Sequence, residues 1–92
     1  MTVADTLRRK LTDALAPTAL DIVDESAKHK GHAGWRPGGE THFRVTVVSA
    51  AFEGKSRVDR QRMVYDVLED EMADRVHALA LVTRTPAEAA GG

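Results

Sequence analysis

Four histidines, His29, His32, His42 and His77, are the side chains of this 92-residue chain best suited to specific chemistry. A neutral imidazole ligates iron or zinc through a ring nitrogen, and a fixed ring direction favours it as a ligand. His77 falls where a strand is expected to begin, which would fix its ring. On residue type alone, a structural histidine hydrogen-bonded at the edge of the core is the preferred reading. His29 and His32 stand three residues apart among Gly31 and Gly34, so the backbone could bring either ring to a metal. A His-x-x-His pair is a weak signal, and solvated loop histidines are its default meaning. His42 shares a strand with Phe43 but points to the opposite face, and reads as structural or as support for a nearby ligand. The chain has no cysteine, so it forms no disulfide and offers no thiolate, which suits a reducing compartment. Any thiolate ligand must come from another molecule.

A second able set is basic. Lys55, Arg57, Arg60 and Arg62 crowd the start of a predicted second helix, where the helix dipole disfavours each cation by roughly 0.3–1 kcal/mol. Glu53, Asp59 and Asp66 are near enough in sequence to neutralise them, giving a solvated ion-pair face. The functional alternative is a phosphate or acidic-partner contact, with Lys55 and Ser56 adding donors at a helix N-terminus. Net charge is −1 and pI is about 6.4, so nucleic-acid binding would rest on this local patch alone.

Catalysis by the chain alone is not expected. It has no cysteine, no serine-centred nucleophile motif, no glycine-rich phosphate fingerprint and no paired carboxylates of recognisable geometry. Asp24 and Glu25 are adjacent in a predicted strand and should point to opposite faces.

These residues need elements to hold them. With 42% apolar and 29% charged residues, the composition is that of a folded domain with one modest core. Val3, Leu7, Leu11 and Leu15 predict an amphipathic helix over 3–15, capped by Thr2 and ended by Pro17. Leu20 and Ile22 alternate with acids in a short strand, residues 19–24. Residues 26–40 keep no period, and so long a connection is often functional. Trp35 within it is either a local hydrophobic anchor or an exposed partner contact. Thr41 to Ser49 alternates cleanly, with Phe43, Val45 and Val47 on one face. Phe52 to Lys55 turns into a helix capped by Ser56 and running to about Ala73. Val76 to Thr83 is a third strand, apolar on both faces, which suggests a central position. The order helix, strand, strand, helix, strand predicts an α+β layer with helices on one face of a three-stranded mixed sheet. Residues 1–86 form a single domain in this reading, and 87–92 a flexible C-terminal tail. The N-terminus shows no secretory signal and no run long enough to span a bilayer, so a soluble, cytoplasmic protein is expected.

Three stretches in order resemble the BolA family: Asp24-Glu25-Ser26 with a histidine-bearing loop ending in Glu40-Thr41-His42-Phe43; Phe52-Glu53-Gly54-Lys55-Ser56-Arg57-Val58-Asp59-Arg60-Gln61-Arg62-Met63-Val64-Tyr65; and Val76-His77-Ala78-Leu79-Ala80-Leu81. The resemblance covers essentially residues 5–86. It implies a class II KH-like fold and a partnership with a monothiol glutaredoxin, sharing a [2Fe–2S] cluster with it and glutathione in iron–sulfur trafficking or iron regulation. Histidine ligation of such a centre has precedent in Rieske sites. The resemblance places the cluster ligand of the family's C-terminal part at His77 and its loop ligand at His29, with His32 an extra candidate. Some bacterial members are transcriptional regulators, so DNA is the alternative partner, with Lys55, Arg57, Arg60 and Arg62 as its contacts. A second copy of the apo chain is a further candidate partner. Gln61 departs from the histidine that many relatives carry between the two arginines. The single glycine in the Phe52 to Ser56 turn gives no Gly-x-x-Gly clamp, which argues against KH-type RNA binding.

Overall fold

The computed structural model describes residues 2–25, 42–74 and 76–91. Helix α1 spans Val3–Leu15, and Leu7, Leu11 and Leu15, one turn apart on a single face, are all buried. Thr2 and Asp5 cap it reciprocally: the Thr2 hydroxyl accepts from the Asp5 N–H at 3.0 Å, and the Asp5 carboxylate accepts from the Thr2 N–H at 3.3 Å. These bonds to Thr2 hold the Asp5 carboxyl below its usual range. At the other end, Pro17 disfavours helical geometry at Ala16, which turns left-handed (φ 44°, ψ 56°) and donates its N–H to the Thr12 carbonyl at 3.0 Å.

Strands β1 (Ala19–Asp24) and β2 (His42–Val48) pair antiparallel, with Leu20 opposite Val47 and Ile22 opposite Val45. The alternation of β2 buries Phe43, Val45 and Val47 on the inner face. One turn of 3-10 helix, Ala50–Phe52, then drives Phe52 into the core, and Gly54 (φ 77°) turns the chain toward α2, Arg57–Val67. Ser56 caps α2, its hydroxyl accepting from the Asp59 N–H at 3.2 Å. The crossover returns the chain as β3, Ala78–Arg84, parallel to β2, in the sheet order β1-β2-β3. Leu7, Leu11, Phe43, Val45, Phe52 and Val64 are among the residues of one core between helices and sheet. The α+β class, the mixed sheet and the antiparallel and parallel pairings follow the expected pattern.

Three details differ from the sequence reading. The second helix does not run unbroken to Ala73: it breaks at Leu68 (φ −103°, ψ 18°) and resumes as α3, Glu69–Asp74. The break seats Leu68 fully in the core, and Lys10 ties α3 back to α1 through Glu71 at 2.9 Å. Strand β3 begins at Ala78, not Val76, and lies at an edge of the sheet, not at its centre. Its outward positions Ala78 and Ala80 are exposed, and alanine is small enough to face water without cover. Residues Pro86–Gly91, for the most part read above as a tail, form the short helix α4. Thr85 and Glu88 make a second capping box: Thr85 N–H donates to the Glu88 carboxylate at 2.9 Å, and Glu88 N–H donates to the Thr85 hydroxyl at 3.1 Å.

Candidate functional site

The parallel register sets His42 beside Ala78, which brings His77, exposed in the bend just before β3, next to it. The two imidazoles stack with centroids 6.3 Å apart and planes inclined by 30°. Two imidazoles sharing one metal at about 2.0–2.1 Å per bond have ring centres roughly 5 Å apart, so at 6.3 Å this pair stands wider than a shared metal requires. Glu25 pairs through its backbone with His42, its N–H donating to the His42 carbonyl at 2.7 Å, and through its carboxylate with Arg44 at 3.3 Å. Among the described residues no group of three His, Asp or Glu side chains is placed to hold a metal. His29, His32 and Trp35 lie outside the described residues.

The basic cluster does not form one patch. The Arg60 guanidinium is nearly enclosed, with 13% of its side chain exposed, and is engaged on every side. It holds the Glu88 carboxylate with two bonds of 2.7 and 3.2 Å, and donates to the Lys55 carbonyl at 3.0 Å and the Thr83 carbonyl at 3.4 Å. These Arg60 bonds, with the Thr85 N–H, lower the Glu88 pKa to about 2. Arg62 is exposed, 3.9 Å from Asp59. At 100° per residue it projects about 140° around α2 from Arg57. Arg57 instead lines a groove of about 620 Å³ with Arg60, Gln61, Leu81, Thr83 and Arg84. Lys55, in the turn before α2, is exposed.

A profile of the BolA-like protein family matches residues 11–88. The chain belongs to the BolA family. It is 48% identical over 86 residues to SufE-like protein 1 of Arabidopsis thaliana, covering 89% of this chain and 23% of that protein. It is 41% identical over 85 residues to the DNA-binding transcriptional regulator BolA of Escherichia coli strain K12, covering 92% and 77% of the two chains. The solved structure of BolA1 from Arabidopsis thaliana superposes with a TM-score of 0.86 at 43% identity, covering 96% of each chain. The chain spans only 54% to 58% of the length of the plant and mammalian BolA1 relatives it matches. No helix among the described residues is long and apolar enough to cross a membrane.

In this BolA domain, the residue that sequence reasoning undervalued is His42. Its place on the outward face of β2 was legible, but its nearness to His77 depends on the β2–β3 register, which alternation does not encode. Arg84 and Glu88 were also passed over. Glu88 was signalled by Thr85-Pro86-Ala87-Glu88, a capping box with proline at the first helical position.

Proposed function

We propose that this BolA-family chain is a non-enzymatic partner of a monothiol glutaredoxin, sharing a [2Fe–2S] cluster with it in iron–sulfur trafficking or iron regulation. The observation that carries the reading is the pairing of His42 with His77 at 6.3 Å. His77, exposed just before β3, is the first ligand in this reading. The second imidazole is His42 or a loop histidine, His29 or His32. A chain without cysteine leaves the thiolates to the glutaredoxin and glutathione, an arrangement that suits any reducing compartment, the cytoplasm included. When bound, the cluster supplies iron with open demand for imidazole nitrogen; the chain's own part is to hold neutral rings in a fixed direction. The test is co-expression with a monothiol glutaredoxin, expected to yield a coloured heterocomplex. His77→Ala should bleach or shift its visible spectrum, and single alanine variants of His42, His29 and His32 should show which ring is the second ligand. An unchanged spectrum with His77→Ala refutes the assignment.

The name of the Escherichia coli relative favours a second reading, a DNA-binding regulator acting through Lys55, Arg57 and Arg62. Arg60 is left in place in its test because it anchors α4. Binding through these three cations predicts a log–log salt slope of about −2.7, lost when all three become alanine. Equal binding by the triple variant removes this reading.

A further inference from the structure

We propose that the groove beside β3 receives an extended acidic peptide segment of a partner protein, added as a fourth strand to the sheet. The edge of β3 defines which backbone groups are on offer. The Arg84 carbonyl accepts from the Ser49 N–H at 2.9 Å, so residue 84 directs its backbone groups toward the β2 side. Alternation then turns the N–H and C=O groups of Leu79, Leu81 and Thr83 outward. Two outward carbonyls are already covered from α2, Leu79 by the Tyr65 hydroxyl at 3.3 Å and Thr83 by Arg60 at 3.4 Å. Between them the Leu81 N–H and C=O and the Thr83 N–H have no partner among the described residues. Donor, acceptor, donor is the row that an extended backbone satisfies.

The groove around this row fixes the chemistry of the occupant. Arg57 on one wall and Arg84 on the other make no ion pair with any described residue, whereas Arg60 is neutralised by Glu88. Two uncompensated guanidiniums, one on each side of the strand-pairing groups, match a peptide with carboxylates on neighbouring residues, whose side chains point to opposite faces. A nucleic acid fits less well, because the Leu81 carbonyl and the Glu88 carboxylate both face this groove and both repel phosphate. A second copy of the chain is disfavoured too, since its β3 edge, Ala78–Arg84, carries no carboxylate to meet Arg57 and Arg84. From Thr83 the His77 bend lies six residues back, roughly 20 Å along the strand, so this surface is separate from the histidine pair and stands or falls without it.

The probe is a blocked hexapeptide, valine-valine-glutamate-glutamate-valine-valine, added to the isotope-labelled full chain. The Leu81 and Thr83 amides should shift and gain protection from hydrogen exchange. Arg57→Ala and Arg84→Ala, both at exposed positions, should each weaken binding about fivefold while the rest of the amide spectrum stays in place. Of two peptides N-methylated on alternate residues, one should lose binding and the other keep it, because only every second peptide N–H faces the sheet edge. A glutamine-for-glutamate peptide should bind more weakly. The proposal is overturned if both N-methylated peptides bind alike, if the Leu81 and Thr83 amides do not respond, or if a single-stranded hexathymidylate occupies the groove and the peptide does not.

Discussion

Ser49 should be the most sensitive polar residue of the domain. Its side chain is fully buried, and its hydroxyl donates to the Leu15 carbonyl at 2.6 Å while accepting from the Ala51 N–H at 3.1 Å. Its N–H donates to the Arg84 carbonyl, so a single residue fastens the end of α1, the end of β2 and the end of β3. Ser49→Ala keeps the backbone bond but strands one buried acceptor, the Leu15 carbonyl, and one part-buried donor, the Ala51 N–H. An unsatisfied buried group costs about 1–3 kcal/mol, and the helix-end carbonyl can relax in part, so a total loss of about 2–3 kcal/mol is expected. In a domain of this size that is a large share of a stability of roughly 5–15 kcal/mol. Urea unfolding should show a midpoint lower by about 2 M with an unchanged slope near 1.2 kcal/mol/M. The melting temperature should fall by about 10–20 °C. A loss below about 0.5 kcal/mol would falsify the claim that the hydroxyl joins these three elements.

Three further outcomes follow from the same geometry. Glu88, depressed from 4.5 to about 2, stabilises α4 fully above pH 4.5 and ceases to do so as pH falls through about 2, so a carboxyl-detected NMR titration should find its midpoint near 2, and Arg60→Lys, which breaks the fork, should return it toward 4.5. Ala16 occupies the left-handed region that glycine tolerates freely; Ala16→Gly should therefore stabilise the chain by about 0.5 kcal/mol after the entropy of the unfolded glycine is counted, and a destabilised variant in the same urea assay would refute this. The Lys10 to Glu71 contact joins α1 to α3 with both side chains largely covered, so Lys10→Met should lower stability by about 1 kcal/mol at 0.05 M salt and by less at 1 M, with a salt-independent loss counting against an ionic link.

The parts of this fold that sequence could disclose are those governed by short-range rules. Val3 to Leu15 carried its own period, its own cap at Thr2 and its own stop at Pro17, and Phe43, Val45 and Val47 carried theirs. Thr85 to Glu88 obeyed equally local rules, but its alanine- and glycine-rich surroundings resembled a tail more than a helix. What sequence could not disclose is who pairs with whom at long range. Arg60 sits beside Asp59, yet its carboxylate partner is Glu88, twenty-eight residues on. Of the neutralising set expected from nearness in sequence, Glu53, Asp59 and Asp66, Asp59 does stand 3.9 Å from Arg62, whereas Arg60 takes Glu88 of α4. Apolar residues on both faces of β3 suggested burial on both sides, but alanine side chains are compatible with an exposed face.

The same long-range logic treats the residues of the two proposed chemistries differently. A helix disperses what sequence clusters: Arg57, Arg60 and Arg62 fall toward a groove, into an ion pair and onto a separate surface. A parallel crossover does the reverse, bringing His42 and His77 together across thirty-five residues. That meeting is held by the inner-face pairs Phe43 with Leu79 and Val45 with Leu81, because a one-residue slip of β3 would turn Leu79 and Leu81 out of the core. Hydrophobic register thus sets where the backbone of His42 meets the chain entering β3 at Ala78. Under the proposed function a metal centre would meet histidines brought together by the core's register, whereas a phosphate backbone would meet cations that α2 has separated.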